Sequence, residues 1–166
     1  MKISLKQKVL ATATAAALLG GTGIAVAYWT STGTGDGEAT VGTSEGWVVT
    51  TDEATGDPLS PGGPTQNVGI NVENTGSGVQ GLQSLVIKVA NPDGTPWAVA
   101  GCDKSDFKLG TAAAGADFTI TKAPVLNVAA GTTHEGDSVA IQMINKPLVN
   151  QDACKGVTVP LHVSAS

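Results

Sequence analysis

The stretch Asn67-Val68-Gly69-Ile70-Asn71-Val72-Glu73-Asn74 decides the fold of this chain. On an extended backbone Val68, Ile70 and Val72 point to one side, and Asn67, Asn71 and Glu73 to the other. That two-residue period is the signature of a half-buried strand. Gly76-Ser77-Gly78 then reverses the chain. In Leu82–Ala90, Leu85, Ile87 and Val89 share one face, and Asn91-Pro92-Asp93-Gly94 follows as a turn in which Pro presets φ and Gly accepts a positive one. In Asp137–Ile144, Val139, Ile141 and Met143 alternate with Ser138, Ala140 and Gln142.

Gly46–Thr51, Phe107–Leu109, Asp117–Thr121, Val125–Val128 and Gly156–Ser164 complete a set of about eight short strands. Pro160 cannot donate to a ladder, so the last strand belongs at an edge. After Tyr28 no window carries apolar residues at helical spacing. The pattern predicts an all-β antiparallel β-sandwich, immunoglobulin-like or jelly-roll-like, occupying residues 46–166.

Before it lies a targeting signal. Lys2, Lys6 and Lys8 precede the uncharged run Val9–Leu19, and Ala25-Val26-Ala27 fits a small-residue cleavage site before Tyr28. Residues 1–27 therefore read as a signal peptide. The rival is a retained anchor, since Val9–Trp29 carries no charge; Gly20, Gly21 and Gly23 weaken it. Val163-Ser164-Ala165-Ser166 offers no C-terminal anchor. Residues 28–45 (YWTSTGTGDGEATVGTSE) are too polar for a core and read as a flexible extension, tipped by Tyr28 and Trp29.

The 166 residues include nine Lys and no Arg, against fourteen acidic residues. Cleavage after Ala27 removes three of the Lys, leaving six against fourteen, a net charge of −8. An acidic surface without Arg is the opposite of a nucleic-acid-binding face, and it gives no attraction to an anionic membrane. Contact with a membrane is expected only through the signal segment before cleavage.

Few residues are equipped for catalysis. Cys102 and Cys154 are the only cysteines, and in an exported chain the pair reads as a disulfide. A copper site would need two His, a thiolate and usually a Met. His134, His162, Met143 and one cysteine would have to provide it, and a disulfide removes the thiolate. Gly42-Thr43-Ser44-Glu45-Gly46 matches G-x-S-x-G, but the nucleophile elbow needs a strand before the Ser and a helix after it. Asp103 with Asp106, and Asp52, Glu53 and Asp57, are acidic loops without a calcium-loop pattern. No cofactor, no metal and no enzymatic activity are expected. Trp47 reads as core, and Trp97, after a Pro-containing turn, as a candidate platform for a sugar ring.

Gly20-Gly21-Thr22-Gly23-Ile24-Ala25-Val26-Ala27-Tyr28-Trp29-Thr30 resembles the signal exit of biofilm-fibre subunits of the camelysin and TasA type, which a dedicated signal peptidase cuts. Val72-Glu73-Asn74-Thr75-Gly76 resembles a strand and turn of small exported bacterial proteins with immunoglobulin-like sandwiches. The resemblance implies an extracytoplasmic, non-enzymatic β-protein that assembles. The two cysteines depart from the fibre-subunit pattern, and no H-E-x-x-H supports a protease. The function expected is a secreted or cell-surface structural protein, a filament or extracellular-matrix subunit that joins copies of itself or other surface components by strand addition. The alternative is a cell-wall polysaccharide-binding module centred on Trp97.

Overall fold

A computed structural model describes residues 39–166. The signal segment 1–27 and the aromatic pair Tyr28 and Trp29 lie outside the described residues. Nine strands follow in chain order: β1 (Val48–Thr51), β2 (Thr65–Asn74), β3 (Gln80–Val89), β4 (Ala98–Val99), β5 (Cys102–Asp103), β6 (Phe107–Leu109), β7 (Phe118–Val128), β8 (Thr132–Met143) and β9 (Leu161–Ala165). Every pairing between them is antiparallel. One sheet has the order β1-β2-β8-β6 and a second β7-β3-β9, while β4 and β5 form a small ribbon.

The two larger sheets are joined by the side chains that the two-residue period points inward. Val68, Ile70 and Val72 from β2, with Val139, Ile141 and Met143 from β8, meet Leu82, Leu85, Ile87 and Val89 from β3. Ile70, Val72, Leu82, Leu85 and Ile87 are completely buried. Each such side chain contributes about 1.5–3 kcal/mol relative to exposure, so this layer is what makes the fold a sandwich.

The strand ends differ from the sequence reading for physical reasons. Asp117–Thr121 and Val125–Val128 are not separate strands but parts of the single β7. Leu82 pairs with Leu126 and Ser84 with Thr121, so residues 122–125 bulge out opposite Gln83. The Ala123–Pro124 bond in this bulge is cis. An edge strand tolerates a proline that a central one would not. At the other end of the fold, Gly156–Pro160 stays out of the ladder and β9 is confined to Leu161–Ala165, immediately after the residue that has no N–H to give. β8 starts five residues earlier than the alternation suggested. Trp47 is partly buried against the core.

The last residues of the expected flexible extension are held in place. Thr43 N–H donates to Ser77 Oγ, Ser77 N–H donates to Thr43 O, and Gln80 Nε2 donates to Glu45 O. Chain entry to the sandwich is thereby fixed to the β2–β3 turn.

That turn depends on a polar residue inside the protein. Asn74 has no exposed surface, yet both of its side-chain polar atoms have partners. Its Nδ2 donates to Gly78 O at 2.8 Å and to Val128 O at 2.9 Å, and its Oδ1 accepts from Gly76 N–H at 2.9 Å. The bond to Val128 crosses from β2 to β7, tying one sheet to the other. Buried backbone groups left without partners cost about 1–3 kcal/mol each. Asn74→Ala is therefore expected to destabilise the domain by about 2–4 kcal/mol, and Asn74→Asp by a comparable amount, as read by the denaturant midpoint at constant slope.

Candidate functional site

A groove of about 900 Å³ is lined by residues from all four strands of the larger sheet. Its floor comes from inward-facing side chains of three strands: Val68, Phe107, Ile141 and Met143. One wall is the loop after β1, with Leu59 and Pro61. The opposite wall is the segment leading into β9, with Val157, Val159 and Leu161 half-buried along it. Asp52, Lys146 and Asn150 line its polar margin. β9 is the terminal strand of its sheet. Among the described residues it pairs only with β3, and its first residue, Leu161, lines the groove.

The second wall is fastened twice. Cys102 and Cys154 form a disulfide with Cα atoms 5.2 Å apart, linking β5 to the 3-10 turn Asp152–Cys154. It closes a sequence separation of 52 residues. Beside it Asp106 is buried at the end of a second 3-10 turn, Lys104–Asp106. Its carboxylate accepts from Lys146 Nζ at 2.8 Å, Gln151 Nε2 at 3.0 Å and Asp103 N–H at 3.0 Å. Gln151 in turn accepts from Lys146 N–H and donates to Ile144 O. Burial alone would raise the Asp106 carboxyl above its ordinary value. The hydrogen bonds from Lys146, Asp103 and Gln151 outweigh burial and hold it below.

The other sequence candidates have structural employment. Asp103 caps the 3-10 turn by accepting from Ser105 N–H at 2.7 Å, and bonding with Ser105 lowers its carboxyl too. Asp52 accepts from Asn71 Nδ2 on the face of β2 away from the core. Asp106 lies close to both sulfurs, but sulfurs joined to each other present no thiolate to a metal. His162 Nδ1 lies 3.2 Å from Pro92 O, and His134 Nε2 lies 3.0 Å from Asp137 Oδ2. Met143 is part of the groove floor. Ser44 is followed by β1 rather than by the helix that an elbow requires.

Trp97 is not a surface platform. It is only 8% exposed and packs in the core against Phe107, with ring centroids 6.1 Å apart and planes tilted by 57°. The Pro-containing turn before it suggested an exposed loop. However, the β4–β5 ribbon that follows Trp97 is tied by the disulfide at Cys102, and the indole is inside. The groove itself was not visible in the sequence, because its lining combines alternating strand positions with irregular loop residues more than eighty positions apart.

The disulfide fits an oxidising compartment such as the cell exterior. Among the described residues no helix is long and apolar enough to cross a membrane.

Two measurements test how the wall is held. A folded-state carboxyl below its unfolded value stabilises the fold fully above about pH 4, and that contribution is lost as pH falls through the lowered value. The melting temperature of the wild type is therefore expected to fall more steeply between pH 5 and pH 2 than that of Asp106→Asn, which starts lower at neutral pH. Reduction of Cys102–Cys154 is expected to cost about 4 kcal/mol from the length of the closed loop, measured by guanidinium unfolding with and without a phosphine reductant.

No protein-family model matches the chain, and no curated protein or solved structure matches it either.

Proposed function

We propose that this chain is an exported, non-enzymatic structural protein of the cell surface, a filament or matrix subunit that assembles by strand addition. The observation that carries the reading is the apolar groove that opens at the start of β9, the terminal strand of its sheet. An edge strand next to uncovered core is a template for another strand, which would complete the ladder through its backbone and the core through alternate side chains. The strand we assign to this role is the N-terminal extension of a second copy. It reaches the sandwich at an anchored point, Thr43, and the thirteen residues Tyr28–Thr40 before it would span about 43 Å when extended. That length exceeds β9 and its approach segment together. Tyr28 and Trp29 supply the large apolar groups that such a groove rewards, in a segment otherwise too polar to form a core of its own. The signal-like residues 1–27 support export, as does the disulfide.

The polysaccharide reading rested on Trp97, and with that ring inside the core no observation favours it.

Sedimentation of residues 28–166 over a range of concentrations, with negative-stain images of the same samples, tests the proposal. Concentration-dependent filaments are expected. Deleting Tyr28–Thr40, or placing a charge in the groove wall by Val159→Asp, is expected to raise the concentration needed for assembly by at least about tenfold, equivalent to about 1.4 kcal/mol. A monomer at every concentration, or assembly unchanged by both alterations, would overturn the proposal.

A further inference from the structure

Away from the groove, two charged side chains occupy positions that the strand pattern reserves for the core. Along β7, Phe118, Ile120 and Lys122 alternate inward while Thr119 and Thr121 face solvent. Along β8, Asp137 is in phase with Val139, Ile141 and Met143. The two strands belong to different sheets, so Lys122 and Asp137 approach each other across the interior of the sandwich. Lys122 Nζ lies 2.5 Å from Asp137 Oδ1, and their side chains are only 17% and 10% exposed.

A third group completes the cluster. His134 and Asp137 are three residues apart, which on a regular strand would put them on opposite faces. Ile70 pairs with Asp137 and Val72 with His134, so two residues of β8, Glu135 and Gly136, oppose the single Asn71 of β2. This bulge, with Gly136 at φ +98°, turns both side chains inward beside the fully buried Ile70 and Val72. His134 Nε2 then reaches the second carboxylate oxygen, Oδ2, at 3.0 Å. An amine touches one oxygen of a carboxyl, and an imidazole touches the other.

A cross-sheet ion pair is a weak source of stability, because desolvating both charges offsets most of their attraction. The same arrangement is, however, a poised condensation site. We propose that Lys122 and Asp137 form an intramolecular amide that joins the two sheets covalently, with His134 as the proton carrier. Within the pair, one proton passes from the ammonium to the carboxylate, which leaves a neutral amine against a neutral carboxyl. The nitrogen lone pair attacks Asp137 Cγ and forms the C–N bond. His134 delivers a proton to Oδ2, the carboxyl proton passes from Oδ1 to the same oxygen, the Cγ–Oδ2 bond breaks, and water departs. His134 recovers a proton from the attacking nitrogen, which keeps one hydrogen as the amide N–H. Two of the three ammonium hydrogens leave in the water, no oxidant or reductant takes part, and the imidazole ends as it began. Holding nucleophile, carboxyl and proton carrier together in a largely buried site replaces the activating reagent that amide formation in water would need.

Mass spectrometry of the reduced, purified chain decides the matter. The amide makes the chain lighter by one water and blocks tryptic cleavage at Lys122. A single peptide Leu109–Lys155, light by one water and with fragments locating the link, is expected in place of Leu109–Lys122 and Ala123–Lys155. Lys122→Arg and Asp137→Ala are each expected to restore the full mass. His134→Ala is expected to slow the appearance of the light form in freshly refolded protein. Full mass in the wild type, with cleavage at Lys122, would overturn the proposal without reference to any variant. Loss of water that persists in Lys122→Arg would also overturn it. Both outcomes leave the assembly reading untouched, since that is read by sedimentation.

Discussion

The structure depends on one layer of aliphatic side chains, the seam where β2 and β8 face β3. Short strands with few aromatic residues bury little area each, so the sandwich forms only if several strands keep their apolar residues in phase at once. A slip by one residue in β2 would turn Val68, Ile70 and Val72 to solvent and bring Asn67, Asn71 and Glu73 inside. The bulges in β7 and β8 are compatible with this requirement because they leave Ile70, Val72, Leu82 and Leu85 fully buried. Asn74 works at the end of the same layer. It replaces apolar contact with three hydrogen bonds where the chain must leave one sheet and enter the other.

The groove exists only while its wall is held. Residues 145–160 contain no strand and only the one 3-10 turn Asp152–Cys154, and few of their side chains are buried. The disulfide and the buried Asp106 carboxylate supply that order from the side, one covalently and one by charge-assisted hydrogen bonds. The result is a preformed apolar concavity at the start of β9, the terminal strand of its sheet. Preformed geometry of this kind lowers the ordering cost of association.

How much of this could be read beforehand varied with the range of the interaction. The alternation in β2, β3 and β8 was plain, and with it the fold class and most of the core. The cysteine pair was legible by elimination, since an exported chain with two cysteines has one pairing. Trp97 was misread because local turn chemistry says where a chain bends, not what is folded over it. Strand β7 divides in the sequence into Asp117–Thr121 and Val125–Val128, whereas in the fold the residues between them, Pro124 included, form a bulge on an edge strand. Lys122, Asp137 and His134 drew no attention as a group. Their inward orientation follows from the phase of β7 and from a bulge in β8 that only pairing with β2 reveals.

The sequence by itself determined that the chain is built of antiparallel strands, which faces of the main strands are buried, and that the two cysteines join. Each of these follows from a period of two residues or from simple counting, and needs no knowledge of distant neighbours. Only the tertiary structure decided which strands share a sheet and that one sheet is wider than the other. It also decided that a lysine and an aspartate meet between them. These outcomes depend on which of many similar apolar strands pair. Backbone hydrogen bonds are alike for every residue, so the choice is made by packing over the whole core rather than by any local signal.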